Sequence, residues 1–452
     1  MEKQLQTDRS LRRQFIRYVP LNVLGMLALS CYILADTFFV ANGVGADGLT
    51  ALNLVMPVYS FISGLGLLFG MGGATKYAIY HGANRPEQAK QCFTLTMLLC
   101  IGTGILVMLL GTFFAGDICT LLGADSSIAP LAKNYLQTIM LFAAAFITNN
   151  ALVCFVRNDG APHLSMLAMV TGSLSNVILD YLFIFPMGLG MFGAAIATCM
   201  APLIGLATLS VHLFSRKSGL RPAKGGVGLR RIGKIVSIGF SAFVTEFSTG
   251  LVMLIFNFLI LGLAGNTGVA AYGVIANLNL FAVAIFAGIS EGVQPLISKA
   301  YGRGDQYALG KVFRWAVLFA AVIGIVLYLI VLLFAGPLAL AFNRDANPML
   351  TQLATEGMRL YFPLLLLSGI NIVTASFFAS ISKAGASFLI CSLRAFVLIT
   401  VLAFSLSRLF GMTGVWVTMP CTELITFLVS LVLLRKNRNR EEALPQPGKQ
   451  SG

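Results

Sequence analysis

The stretch GADGLTALNLV, residues 45–55, returns as GNTGVAAYGVI at residues 265–275, 220 positions further along the chain. Carrying the same offset forward without a gap pairs glycines of the two halves, Gly72 with Gly292 and Gly82 with Gly302. Near the end of each half, GMFGAA (190–195) resembles GMTGVW (411–416). The sequence therefore predicts a duplicated architecture in which two halves share one fold.

The composition indicates that lipid surrounds most of this chain. Hydrophobic residues make up 57% of the 452 residues, charged residues make up 11%, and the mean hydropathy is +0.86. Soluble domains typically contain about 25% charged residues. Apolar runs long enough to cross a bilayer, about 20 residues each, recur along the whole chain. A bilayer admits only helical bundles or closed barrels. The runs are too long for barrel strands, so we predict an all-α integral membrane protein.

Apolar runs between polar breaks predict twelve transmembrane helices. The first six lie near 14–41, 50–80, 88–115, 130–156, 163–185 and 191–214. The second six lie near 231–262, 268–300, 306–335, 351–381, 386–408 and 412–434. Because twelve is even, both termini are expected on one side of the membrane. The predicted fold class is thus twelve helices in two pseudo-symmetric six-helix bundles, related as parallel repeats are.

The longest polar, glycine-rich and basic stretch inside the chain is RKSGLRPAKGGVGLRRIGK, residues 216–234, between the sixth and seventh spans. This composition indicates a connection between two lobes. The predicted segments are an N-terminal lobe (1–215), a cytoplasmic linker (216–230), a C-terminal lobe (231–435) and a cytoplasmic tail (436–452). A duplicated bundle with a cleft between its lobes suits a transporter that opens alternately to the two sides of the membrane.

The distribution of lysine and arginine predicts the orientation. One alternate set of connections carries 26 of them, including Arg157, the linker cluster and both termini. The opposite set carries four: Lys133, Arg344, Arg359 and Arg408. Basic residues favour the cytoplasmic side, so both termini are predicted there, in a bacterial inner membrane. The net charge of +14 then reflects the orientation of the chain in the membrane, with basic residues at a solvated rim. It does not indicate a nucleic-acid-binding surface.

Several other functions are not expected. Eight cysteines lie singly in apolar segments without a CxxC pair, which predicts buried packing thiols and neither a metal site nor a disulfide framework. GLGLLFGMGGATK (64–76) lacks the GK[ST] ending of a phosphate-binding loop, so no nucleotide partner is predicted. No convergent catalytic set is visible, so the chain is not expected to be an enzyme or to hold a cofactor, and it is expected to act as a monomer.

Two aspartates inside the spans are the main candidates for a functional site. Asp36 lies about five residues before the first span ends, and Asp180 lies about five residues before the fifth span ends. Both spans run outward, so the two carboxylates share one depth. Asn176 is one helical turn from Asp180 and projects from the same face. Each aspartate could instead be a lone structural acid bonded to a neighbouring helix.

Ionisable groups inside spans are costly, at least about 2.5–3.5 kcal/mol on insertion scales, and are usually functional. A desolvated carboxylate close to a second one can bind a proton or a cation from the outer solution. It can release that ion when the cleft opens inward. Asp36, Asn176 and Asp180 are therefore predicted to bind the coupling ion, H⁺ or Na⁺.

Other polar residues inside spans are candidates of lower rank. Asn149 and Asn150 lie mid-span in the fourth helix and are predicted to complete the coupling-ion site. Glu246 lies midway through the seventh span. It is predicted either to contact the substrate or a second cation, or to be a structural acid. Pro20 removes a backbone hydrogen bond early in the first span, which gives either a packing kink or a mobile gate. Glu423 is expected to form a structural pair with Arg394.

Four stretches together resemble one known family. They are ADTFFVANGVGADGLTALNLVMPV, GGATKYAIYHGANRPEQA, the pair DYLFIF…GMFGAAIAT, and EGVQPLISKAYGRGD. In this order they are similar to the multidrug and toxic compound extrusion (MATE) transporters over nearly the whole chain. The resemblance implies twelve helices in two lobes, and export of organic, often cationic compounds in exchange for protons or sodium ions.

The resemblance also implies roles for particular residues. Asp36 with Asn176 and Asp180 looks like the N-lobe ion site of the DinF-like branch. Glu246 resembles the helix-seven acid of the NorM-like branch, which also has an acid in helix ten, where this sequence offers Asn371. Coupling through the N-terminal lobe is therefore expected, with Asn371 as a secondary candidate. The alternative function is a flippase for a lipid-linked sugar or another lipid-like molecule, since related proteins share the duplicated fold.

Overall fold

The computed structural model describes residues 2–126, 128–225, 228–342 and 347–442. Within these ranges the chain is almost entirely helical and contains no strand. Part of the predicted linker (226–227) and most of the predicted tail (443–452) lie outside the described residues. So do two of the counted cations, Arg344 and Lys449.

The N-terminal half contains seven helices that form six spans. They are α1 (Glu2–Gly43), α2 (Ala46–Gly82), α3 (Pro86–Leu121), α4 (Ala129–Leu141), α5 (Ala143–Asn158), α6 (Pro162–Ile184) and α7 (Gly190–Leu213). The helices α4 and α5 meet at an angle of 53° and together have the length and hydropathy of one span. The helix α1 begins about twelve residues before the predicted span, because the polar N-terminal segment continues the same helix.

The C-terminal half contains longer helices. They are α8 (Leu229–Arg303), α9 (Gln306–Phe342), α10 (Pro348–Tyr361), α11 (Leu365–Ser380), α12 (Ala384–Ser392) and α13 (Leu398–Glu442). A 3₁₀ turn (Phe362–Leu364) joins α10 to α11, and a π-helical turn (Leu393–Val397) joins α12 to α13.

Two of these helical stretches each contain two spans. The helix α8 has 75 residues, about 110 Å at 1.5 Å per residue, against about 30 Å of hydrocarbon. It breaks at Gly265, with φ 60° and ψ −159°, and α13 breaks at Gly411, with φ 58° and ψ −133°. Both values of φ are positive, a region that glycine enters without steric cost. Nine described stretches are long and apolar enough to span, and the bent pair α4 and α5 is a tenth. Counting the two broken stretches twice gives the twelve predicted helices.

The two lobes approach each other most closely where the halves repeat. A methyl group at Gly82 would lie within 3.1 Å of the Lys299 carbonyl carbon, and one at Gly302 within 3.0 Å of that of Ile79. Ile79 and Lys299 are themselves 220 positions apart, so α2 and the second half of α8 cross in a reciprocal manner. Small residues allow such backbone contact between membrane helices. These approaches lie at the linker-side ends of the helices, where the lobes are in contact.

The outer surface of the bundle is apolar. Phe113, Phe258 and Leu333 are among the many large hydrophobic side chains that stay exposed. A soluble monomer rarely exposes such contiguous apolar surface, which agrees with helices surrounded by lipid. The prediction that all eight cysteines are buried holds for six of them, because Cys31 on α1 is exposed and Cys421 is only half-buried.

Candidate functional site

Asp36 on α1 and Asp180 on α6 lie side by side. The Asp36 side chain is 8% exposed and that of Asp180 is fully buried. The two carboxyl groups are close enough to form a side-chain hydrogen bond with each other. Such a bond requires a proton on one of them, because two ionised carboxylates offer only acceptors. One oxygen of each, Oδ1, has no partner among the described residues.

Asn176 holds Asp180 from one helical turn away. With its amide oriented to satisfy its neighbours, Nδ2 of Asn176 donates to Asp180 Oδ2 at 3.0 Å, and its oxygen accepts from the backbone N–H of Thr198 at 3.3 Å. The side chain of Asn176 is fully buried. The Asn176 amide therefore links Asp180 to α7, because its oxygen accepts a hydrogen bond from the α7 backbone.

A small cavity of about 40 Å³ opens beside Asp36. A water molecule needs about 10–15 Å³ measured in this way, so one or two waters or a small ion would fit. The polar lining residues include Tyr32, Asp36, Thr37, Asn53, Tyr59, Tyr135 and Thr198. Asp36 thus faces a polar chamber and not lipid.

A second, central cavity of about 170 Å³ adjoins the first. The two cavities share four lining residues, Tyr32, Ile33, Tyr59 and Thr198. The hydroxyl groups of Tyr32 and Tyr59 are 2.8 Å apart and form a hydrogen bond between α1 and α2. This phenol pair lies at the boundary between the small and the central cavity, and sequence patterns gave no sign of it.

Asn149, Asn150 and Glu246 line the central cavity and not the small one. Nδ2 of Asn150 donates to Ser63 Oγ at 3.2 Å. Ser63 also forms a hydrogen bond with the half-buried Glu246 of α8, which therefore reaches across to the N-terminal lobe. Oδ1 of Asn149 is buried and has no partner among the described residues. The central cavity thus combines two amides and two carboxylates with apolar walls, and one of these carboxylates, Glu291, is paired with Arg157.

Asn371 does not join this cavity. Its Nδ2 donates to Glu423 Oε2 at 2.7 Å and to the Glu423 carbonyl at 2.9 Å. Arg394 completes the cluster, with NH2 at 2.6 Å from Glu423 Oε1. Glu423 and Arg394 are paired, as expected, and Asn371 is engaged by the same carboxylate inside the C-terminal lobe.

Pro20 lies where α1 crosses the C-terminal lobe. The residues beside it, Val19 and Val23, pack against Gly292 and Gly288 of α8. Pro20 itself is exposed on the opposite face of the helix. The backbone of α1 stays helical through this point.

The prediction that Arg157 belongs to a solvated rim is wrong. Its side chain is fully buried and forms an ion pair with Glu291, and NH1 donates to Asn22 Oδ1 at 2.8 Å. Next to it, Nδ2 of Asn158 donates to Gln294 Oε1 at 2.8 Å. Glu291 and Gln294 belong to α8, so these contacts join the two lobes across 134 and 136 positions of sequence. Proximity to a loop in the sequence concealed this buried role.

A further polar cluster was also missed by sequence reasoning. Asp159, in the turn between α5 and α6, accepts from Tyr77 at 2.5 Å, from the Gly219 N–H at 2.9 Å, and pairs with His212 at 2.7 Å. Burial raises the pKa of the Asp159 carboxyl, but these hydrogen bonds outweigh it and hold the pKa below its ordinary value. In the described residues no group of three or more His, Cys, Asp or Glu side chains is arranged to hold a metal ion.

A duplicated helical bundle, with acidic side chains around cavities between its helices, is an architecture typical of membrane transporters. The chain belongs to the MatE family, whose model matches residues 22–182 and 242–405, more than half of the sequence. Members of this family are transporters, which confirms the prediction that the chain is not an enzyme. The resemblance of the four quoted stretches to the MATE transporters is confirmed as well.

Curated relatives match almost the whole chain. The multidrug export protein MepA of Staphylococcus saprophyticus is 28% identical over 93% of both chains. MepA of Staphylococcus aureus strain MRSA252 is 27% identical over 92% of both. A solved structure described as the outward-facing conformation of a multidrug resistance MATE family transporter of the MOP superfamily aligns with a TM-score of 0.90. It is 22% identical and covers 96% of this chain and 97% of its own. This likeness confirms the predicted fold.

Proposed function

We propose that the chain exports amphiphilic, often cationic compounds from the cell in exchange for an inward-moving cation, by alternating access. The family places it among membrane transporters, and relatives that match over 90% of its length are named multidrug export proteins. The flippase alternative is not favoured by these names. The proposed location is the bacterial inner membrane with both termini in the cytoplasm, and no cofactor besides the coupling ion is proposed.

One observation carries the proposal of ion coupling. Asp36 and Asp180 come from different helices, are buried, and lie within hydrogen-bonding reach beside a polar cavity. That cavity adjoins the larger central one. An ion bound at the carboxylates and a substrate in the central cavity would therefore contact the same tyrosine pair, Tyr32 and Tyr59. Occupancy of one site can then disfavour occupancy of the other, which is the requirement for exchange.

The geometry favours H⁺ over Na⁺ as the coupling ion. The two carboxyl groups lie within hydrogen-bonding reach of each other, an arrangement that suits one shared proton, whereas a sodium ion would need several oxygen ligands around it. The amide oxygen of Asn176 already accepts from the Thr198 N–H, so only its second lone pair is left to coordinate a cation. In the central cavity, Glu246 is proposed to attract the positive charge of the substrate, with Asn149 and Asn150 as neutral hydrogen-bonding contacts. Pro20 is proposed as the bend point of α1.

The proposal is tested with ethidium efflux in inverted vesicles, with a pH gradient and a sodium gradient imposed separately. The wild type should export under the pH gradient and gain little from the sodium gradient. Asp36→Asn and Asp180→Asn should reach the membrane at wild-type levels but lose gradient-driven export, because neither amide can load and release a proton. The matched control is Asp47→Asn, an exposed acid in the first turn of α2, which should export normally.

Two results would contradict this account. Efflux near the wild-type rate in Asp36→Asn or Asp180→Asn would remove that residue from the mechanism. Export driven by the sodium gradient alone would replace the proton by Na⁺ at the same carboxylates.

A further inference from the structure

A cavity of about 470 Å³ lies at the linker-side ends of α2 and α3, where α8 begins. Four cations line it, Lys76 from the N-terminal lobe and Arg230, Arg231 and Lys234 from the first turns of the C-terminal lobe. It shares no lining residue with the cavities around Asp36 and Glu246. This cavity is therefore separate from the proposed ion and substrate sites.

Two of the four cations in this cavity have a neutral hydrogen-bond partner. Nζ of Lys76 donates to Ser382 Oγ at 3.2 Å, and NH1 of Arg231 donates to Gln91 Oε1 at 3.0 Å. None of the four cations forms an ion pair within the part of the chain that the structure describes. The nearby acid Glu87 is taken by Lys90 at 2.7 Å. Like charges held around one cavity repel each other, so an external anion would relieve the repulsion.

The first turn of α8 adds to this positive field. Gly228 precedes the helix, has no side chain to cap it, and lines the cavity. The backbone N–H groups and the helix dipole at such an N-terminus favour a negative group. The helix terminus and the four cations thus point to the same kind of ligand.

The other half of the duplicated fold supplies an acid where this half does not. Asp8 of α1 lies 2.5 Å from Lys311 and accepts from Tyr307 at 3.0 Å. At the offset of 220, Asp8 corresponds to Gly228 and Lys311 to Gln91. At this junction in one repeat, the charge of Lys311 is therefore neutralised by Asp8 of the same chain. In the other repeat the acid is absent and the number of cations is larger.

The surroundings indicate that the anion comes with a lipid. Leu229, beside Arg230, is 87% exposed, and Leu95 and Ile235 form apolar parts of the cavity wall. Lys76 is six residues, or about 9 Å along the helix, before the linker-side end of α2. Basic pockets between membrane helices are known to hold anionic lipid headgroups. We propose that this cavity binds the phosphate headgroup of an anionic phospholipid from the leaflet on the linker side.

A headgroup bound there would join the two lobes. Lys76 belongs to the N-terminal lobe, and the three other cations belong to α8. The lipid would therefore stabilise the state in which the lobes are closed on the linker side.

The test uses the purified full-length chain in detergent, with native mass spectrometry and thermal unfolding as readouts. Phosphatidylglycerol should bind and raise the Tm, and phosphatidylcholine and inorganic phosphate should not. The triple variant Arg230→Gln, Arg231→Gln, Lys234→Gln should bind phosphatidylglycerol about 100-fold more weakly, which corresponds to about 1 kcal/mol for each cation. If this variant does not fold, Arg230→Gln alone, at an exposed position, should weaken binding several-fold.

The matched control removes three exposed cations from the neighbouring part of the linker, Arg216→Gln, Lys217→Gln and Arg221→Gln. It should change the affinity less than twofold. An equal loss in the control and the cavity variant would overturn the proposal, because the attraction would then be a general surface effect. Stabilisation by inorganic phosphate as strong as that by phosphatidylglycerol would overturn the assignment to a lipid. Neither readout depends on export, so the result is independent of the function proposed above.

Discussion

The close crossing of α2 and α8 predicts that a single methyl group can change which side of the transporter is open. In Gly82→Ala the new Cβ would lie 3.1 Å from the Lys299 carbonyl carbon and closer to its oxygen. Carbon atoms pack at about 3.5–4.0 Å, so the backbones must separate by about 1 Å. Gly302→Ala meets the backbone of Ile79 in the same way. In both variants the obstacle is main chain, which cannot move aside as a side chain can.

Overpacking of this kind costs about 1–3 kcal/mol. The cost applies to the state in which the lobes touch on the linker side, and it is relieved when they separate. The ratio of the two states should therefore shift by about 5–150-fold toward opening on the linker side. The higher helix propensity of alanine applies to both states equally and cancels in the ratio.

Double electron–electron resonance measures this ratio directly. Spin labels at the exposed positions Arg85 and Arg314 report the separation of the lobes, and the longer distances should become more populated in Gly82→Ala and Gly302→Ala. Gly273→Ala is the matched control, since this glycine lies in the same span as Gly302 and faces open space. A distance distribution in the two variants no different from that of the control would refute the reasoning.

Three further predictions follow from the polar contacts. Glu291→Gln leaves Arg157 buried without its counter-charge, at a cost of about 3–5 kcal/mol. The Tm in detergent should therefore fall markedly. An unchanged Tm would contradict the pairing. Asp159 has a pKa below its ordinary value of 3.8, so its ionised form stabilises the fold above that pH and the contribution is lost as the pH falls further. The Tm difference between the wild type and Asp159→Asn should thus be constant above about pH 5 and shrink below about pH 4. A Tm difference that grows on acidification would contradict the lowered pKa of Asp159. Tyr59→Phe removes the 2.8 Å hydrogen bond to Tyr32 and should cost about 1 kcal/mol of stability; a Tm equal to that of the wild type would mean that the pair contributes nothing.

The sequence predicted the parts of the fold that depend on local pattern. Apolar runs and polar breaks located the twelve spans, and the repeat offset identified the glycines at the crossing of the lobes. Helix ends differed where helix formation continued past the membrane, as it does before residue 14 in α1. Gly265 and Gly411 were within predicted breaks, but a pattern of hydropathy does not reveal that helical structure resumes on both sides of one residue.

The candidate site was predicted only as far as depth and helical phase allow. Asp36 and Asp180 were placed at one depth, and Asn176 was placed on the face of Asp180, because these relations follow from helix geometry. Whether α1 and α6 are neighbours depends on packing between distant segments, which a single sequence does not encode locally. For the same reason Asn149 and Asn150 were assigned to the ion site, although both line the central cavity and not the small one.

The helix α1 contacts both the proposed ion site and the interface between the lobes. Tyr32 and Asp36 line the small cavity one turn apart, and Val19 packs on Gly292 of the C-terminal lobe. From Asp36 to Val19 is about 25 Å along one helix at 1.5 Å per residue. Pro20, next to Val19, lacks the N–H that would hold the helix straight. If an ion loads at Asp36, as proposed, its effect on α1 would reach Pro20, the proposed bend point, where that helix meets the other lobe. We therefore expect α1 to transmit the state of the ion site to the contact between the lobes.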